Sequence, residues 1–224
     1  LSIMYEKLKG SDQLAALIAL RKETQDLHSA WTWLIAQCDV GRLRVILPGI
    51  ILFHEMRGRP VGAQAIITLL LDTLAMLNAL SESGERATRI GIEGLRALVL
   101  AGIRHFQLPI ESTEATSSYQ QESLEIAQNL PDGQEKAFAL LLNSMSTGRS
   151  GVLTNEQSCG LCRQCIAIFR RLDDPWGTAL AQLILADGAG FGLGDEATAR
   201  PHYQASLKGF TRLSNDWGRA LCLT

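Results

Sequence analysis

The chain has 224 residues, 46% hydrophobic and 20% charged, with a formal net charge of −2. Such a composition fits one globular domain or one elongated repeat array. The missing basic surplus argues against binding duplex nucleic acid, where phosphate neutralisation supplies much of the affinity. The most apolar stretch, 66–80, is interrupted by Thr68, Asp72, Thr73 and Asn78, so no membrane span is expected.

Along the chain, apolar residues recur at helical spacing and alternating strand-like runs are almost absent. Helices are predicted over 2–9, 13–37, 40–57, 60–80, 85–106, 110–129, 134–147, 154–172, 175–190 and 195–213, with an eleventh beginning at 216. Gly and Pro mark the joints, at Gly10, Gly41, Gly58 and Pro60, Gly84, Pro109, Pro131 to Gly133, 148–151, Pro175 and 188–194. Pro48 falls inside the third predicted helix and is expected to kink or interrupt it.

An internal repeat organises this pattern. The segment from Phe169 through Leu172, Trp176, Gly177 and Ala179 to Leu180 returns, without a gap, as Phe210, Leu213, Trp217, Gly218, Ala220 and Leu221. A weaker copy precedes it, with Leu124, Ala127, Leu130, Ala137 and Phe138 at the positions of Ile166, Phe169, Leu172, Ala179 and Leu180. Ala63, Leu71, Leu74 and Leu77 likewise echo Ala199, Leu207, Phe210 and Leu213. In each unit a helix with one apolar face is followed by a helix-start signal, Asp174 before Pro175 or Asn215 before Asp216. A small Ala then lets the two helices approach. A hairpin of this kind leaves an apolar face that only a neighbouring hairpin can cover, so the predicted fold is all-α, an α–α superhelix of stacked hairpins.

These residues resemble the tetratricopeptide repeat superfamily, and more narrowly the helical arrays of bacterial signal-transduction ATPases of the STAND class, which include LuxR-type and maltose-activator-type transcriptional regulators. The N-terminal stretch Leu27-His28-Ser29-Ala30-Trp31-Thr32-Trp33-Leu34, followed by Phe53-His54-Glu55-Met56-Arg57-Gly58-Arg59, is similar to the segment that enters such arrays. The resemblance is strongest over 165–224 and extends, more loosely, over 13–80. It implies one domain over 1–224, with atypical helices in 1–58 and about four hairpins in 59–224. It further implies a cytoplasmic, non-catalytic regulatory arm that binds a protein partner or its own ATPase domain, or else a sensor taking a small-molecule inducer in the concave groove. No Gly-Lys pair occurs, so the P-loop of such an ATPase is not within this sequence. The start at Leu1 and the apolar stretch Leu221-Cys222-Leu223 suggest a fragment of a longer protein, whose exposed end would be covered by a further repeat or pair as a homodimer.

Residues with chemical capacity are few. Cys159, Cys162 and Cys165 have the spacing of a metal or iron–sulfur motif. The repeat aligns Cys162 with Tyr203 and Cys165 with Ser206, which are packing positions, so buried thiols are the favoured reading and no metal or other cofactor is expected. An odd total of five Cys also argues against a secreted disulfide framework. The glycines of 188–194 lack the spacing of a nucleotide loop and follow a helix, so they read as a frayed helix end before Asp195. His54-Glu55 begins like a zinc-protease motif, but Gly58 stands where the second His is required. No nucleophile elbow or other catalytic constellation appears, and no enzymatic activity is expected. Trp31 and Trp33 point about 200° apart on a helix, so one of them is expected to face a partner. By analogy with repeats whose first helices line the inner face, Gln64, Thr68, Gln204 and Lys208 are candidate contact residues.

Overall fold

The computed structural model describes residues 2–58, 63–81, 89–107, 114–145 and 152–223. They form helices α1 (Ser2–Lys9), α2 (Gln13–Lys22), α3 (Thr24–Ala36), α4 (Val40–Met56), α5 (Ala63–Ser81) and α6 (Arg89–Gln107), followed by α7 (Glu114–Asn129), α8 (Gln134–Ser144), α9 (Asn155–Arg171), α10 (Pro175–Asp187), α11 (Glu196–Arg212) and α12 (Asp216–Leu221). A π-helix, Gly188–Gly192, extends α10. No strand occurs among the described residues, so the fold is all-α. The predicted joints at 59–60, 84, 109 and 148–151 lie outside the described residues.

Three hairpins are closed by one turn. Cys38, Asp173 and Ser214 each take the left-handed backbone conformation, with φ of 52°. The amide of the next residue reaches back five positions, Asp39 to Leu34 O at 3.0 Å, Asp174 to Phe169 O at 2.9 Å and Asn215 to Phe210 O at 3.0 Å. These are Schellman closures, which satisfy the last carbonyls of α3, α9 and α11. The same Asp39, Asp174 and Asn215 then cap the following helix by accepting from the amides of Arg42, Gly177 and Gly218. One residue thus ends one helix and starts the next. The α3–α4 turn belongs to this set, although the residues around it gave no such indication.

Between hairpins a second contact recurs. Ser123 Oγ donates to Ala97 O at 2.7 Å, Cys165 Sγ to Ala137 O at 3.4 Å and Ser206 Oγ to Ala179 O at 2.8 Å. In each case the first helix of one hairpin (α7, α9 or α11) bonds to the second helix of the hairpin before it (α6, α8 or α10). A bond to a main-chain carbonyl needs a close helix approach, which the Ala side chains permit. Within hairpins, Phe169 lies on Gly177 and Phe210 on Gly218 so tightly that a methyl group at either glycine would overlap the ring.

α6 is the most enclosed helix, with Leu95, Ala97, Leu98, Val99, Leu100, Ala101, Ile103 and Phe106 inaccessible to solvent. It packs against α4, α5, α7 and α8. α5 is the one helix among the described residues that is long and apolar enough to cross a membrane by length and composition, and half of that span is buried within the fold.

The N-terminal helices are laid across the hairpin ends. Tyr5, Leu8, Lys9 and Gln13 are buried. Gln134 Nε2 donates to the Tyr5 hydroxyl at 3.3 Å, Lys9 Nζ meets Asp174 Oδ2 at 2.9 Å, Asn215 Nδ2 donates to Leu8 O at 3.0 Å and the Trp217 amide to Gln13 Oε1 at 3.0 Å. Lys9 also lies over the Tyr5 ring at 4.2 Å. This strap therefore touches the start of α8, α10 and α12 in turn. The stacked Trp176 and Trp217, 6.3 Å apart, lie at the same hairpin ends.

Three expectations are corrected. The helix predicted over 13–37 divides at Glu23, and Thr24 Oγ1 turns back to Leu20 O and Arg21 O. α4 continues through Pro48 without interruption. The glycines after α10 do not fray; they wind into the π-helix, ended by Gly194 at φ 70°.

Two substitutions test this account. Gly218→Val would force Phe210 out of its place and should lower unfolding free energy by about 3 kcal/mol in urea denaturation. Asp174→Asn keeps the cap but leaves Lys9 without its carboxylate. It should cost about 3 kcal/mol, and an unchanged midpoint would show that the strap contributes little.

Candidate functional site

A groove of about 560 Å³ lies between α9, α10 and α11. Its shape follows from small residues. Ala205 and Gly209 bring α11 near α10, where a methyl group on Gly209 would stand 2.9 Å from Ala179 Cβ. The accessible apolar surface of the groove comes from Pro175, Ala205 and Leu213 over the buried Phe169 and Ala179, while Arg170, Lys208 and Arg212 stand around it. None of the three cations has a carboxylate partner among the described residues, in contrast with Arg171, which pairs with Asp132. Of the lining acids, Asp174 is engaged by Lys9 and by the Gly177 amide, which leaves Asp173. Gln182 also lines the groove. Its side chain is largely buried, while its carboxamide reaches solvent and has no hydrogen-bond partner among the described residues.

The basic character continues along the two flanking helices. His202 on α11 is held below its ordinary value by partial burial and then by Arg163 and Arg170 of α9. Beyond the groove, the π-helix presents Phe191, 87% exposed, beside a cavity of about 410 Å³ that Arg200, Tyr203 and Gln204 also line. The Tyr203 hydroxyl donates to Asp187 Oδ1 at 2.6 Å, and burial raises the Asp187 carboxyl.

The sequence-predicted residues separate on this framework. Lys208 lies in the groove, and Gln204, one turn earlier, faces the neighbouring cavity. Gln64 and Thr68 are exposed on α5, which packs on α3, α4 and α6, so they do not join the α11 residues. Trp31 is corrected as a contact residue: it is 1% exposed, and its indole donates to Thr73 Oγ1 at 3.0 Å within the core. Trp33 faces outward and is 54% exposed. Sequence reasoning missed Arg170, Arg212 and Gln182. Gln182 reads as one polar residue in an apolar helix, and only the hairpin packing reveals the gap beside it.

Cys159, Cys162 and Cys165 are free and buried. Burial pushes the Cys162 thiol up to about 12 and raises the other two, which opposes the thiolate needed for metal binding. Cys165 instead serves as the inter-hairpin donor. His28 and His54 stack at 5.7 Å, and His105 Nε2 lies 2.8 Å from Glu55 Oε2. His54 is held down to about 4 by burial first, then by His28 and Arg57.

No family model matches the chain, and neither a curated protein nor a solved structure matches it.

The His54 environment sets a pH dependence. The fold favours the neutral ring, so on acidification the unfolded chain takes the proton first. The stabilisation is complete above about pH 6.5 and is lost as pH falls toward about 4. His54→Leu should flatten the fall of thermal midpoint across that window, which amounts to about 3 kcal/mol at its lower end. An equally steep fall in the variant would assign the effect to other groups.

Proposed function

We propose that this chain is a non-catalytic interaction module whose binding surface is the groove between α9, α10 and α11. In the wider reading it is a tetratricopeptide-type regulatory arm of a bacterial signal-transduction ATPase or transcriptional regulator of the STAND or LuxR kind. It there contacts a partner protein or the ATPase domain of its own polypeptide. The observation that carries the binding reading is the groove itself, about 560 Å³ with an apolar floor, bordered by Arg170, Lys208 and Arg212, which have no carboxylate partners among the described residues. The recurring turns and inter-hairpin bonds support the repeat reading, because they join equivalent positions of successive hairpins. The N-terminal resemblance through Trp31, Trp33 and Arg57 supports the narrower family.

A second reading has its own support. Polar groups converging over an apolar floor also suit a small organic ligand, which would make the chain an inducer sensor.

An array of unrelated peptides probed with the purified chain should contain binders, and hydrogen exchange should show them protecting α9 to α11. No binder, or protection confined to other helices, would remove the interaction reading. Protection of the same helices by compounds from a metabolite panel, with no peptide binding, would put the sensor in its place.

A further inference from the structure

We infer that the groove takes an extended protein segment rich in acidic side chains, with one main-chain or side-chain amide completed by Gln182. The inference rests on the reading of this groove as a binding surface and adds the chemistry of its occupant. Three observations carry it. First, Arg170, Lys208 and Arg212 approach the groove from two helices without carboxylate partners among the described residues. The chain as a whole carries a net charge of −2, so this local excess of cations is not a consequence of bulk composition. Of the two acids in the lining, Asp174 is committed to Lys9 on the other side, which leaves Asp173 alone against the three cations. Second, the Gln182 side chain is largely buried with its carboxamide left to solvent, and it offers both a donor and an acceptor, the pair that an amide group of a peptide would satisfy. A simple inorganic anion could use only the donor. Third, Arg163 and Arg170 lie two turns apart on α9 and Lys208 and Arg212 one turn apart on α11, so the charge follows a line instead of closing around a point. Apolar side chains alternating with the acids would rest on Pro175, Ala205 and Leu213.

The strap bears on the same site. A cavity of about 400 Å³ between α1 and the α9–α10 turn shares Asp173, Asp174, Pro175 and Leu213 with the groove. Lys9 keeps Asp174 from opposing an incoming acid.

The test uses the full chain and a short fluorescent peptide of alternating Glu and Leu, with the Gln–Leu peptide as the uncharged control. Fluorescence anisotropy should show the acidic peptide binding at least about tenfold more tightly, with affinity falling as salt rises. Lys208→Glu and Arg212→Glu are surface changes and should each weaken it by about tenfold or more with an unaltered circular dichroism spectrum. Gln182→Leu should weaken the acidic and neutral peptides alike. Equal affinity for both peptides in the parent chain would overturn the acidic assignment while leaving a peptide-binding groove in place. Free glutamate or citrate binding as tightly as the peptide by calorimetry would overturn the protein source of the anion. No binding of any of these probes would overturn the inference, and the peptide array would then decide separately whether the groove binds proteins at all.

Discussion

The closeness of successive hairpins governs this structure. Ser123, Cys165 and Ser206 each reach a main-chain carbonyl of the preceding hairpin, which is possible only where Ala97, Ala137 and Ala179 keep the helix surfaces thin. The bonds themselves are modest, each contributing about 1 kcal/mol net. Their larger role is to fix the relative placement of neighbouring helices, because a carbonyl already used within its own helix accepts a further donor only from a narrow range of positions. Once α11 is held against α10 in this way, the positions of Lys208 and Arg212 relative to Arg170 follow. The candidate groove is a consequence of packing rules that serve the core first.

The same logic accounts for the thiols. A cysteine at the position of Ser206 performs the serine's task with a weaker donor and a better apolar fit. Its neighbours Cys159 and Cys162 line the same buried face of α9. The chemistry suggested by their spacing is suppressed by burial, which raises all three thiols above their ordinary range. A motif defined by spacing alone cannot register that the spacing of a helix face is also three.

Much of the fold was legible because its signals are local. Helix periodicity, the Asp174-Pro175 and Asn215-Asp216 starts and the 169–180 repeat each depend on residues close in sequence. The joint between α3 and α4 was legible, but its likeness to the later turns was not, because Cys38 and Asp39 reproduce the backbone of Asp173 and Asp174 without the flanking Trp and Gly. The break at Glu23 was hidden because neither Gly nor Pro marks it and Leu20 to Glu23 favour helix. The candidate site was legible only in Lys208 and, beside it, Gln204. Arg170, Gln182 and Arg212 come from three helices, and their convergence is a property of tertiary packing. The strap was not legible at all, since Lys9 and Asp174 are separated by 165 positions.

That separation has a consequence for the life of the chain before it is folded. Synthesis proceeds from the N-terminus, so Tyr5, Leu8 and Lys9 emerge long before Asp174 and Asn215 exist. The early hairpins can assemble as they appear, each on its predecessor. Helix α1 must wait until Asn215, 207 positions beyond Leu8, has been made for its last anchors, with an apolar face and an ammonium group uncommitted in the meantime. An array that would otherwise grow piece by piece is thus fastened by α1 only once the start of α12 has been made.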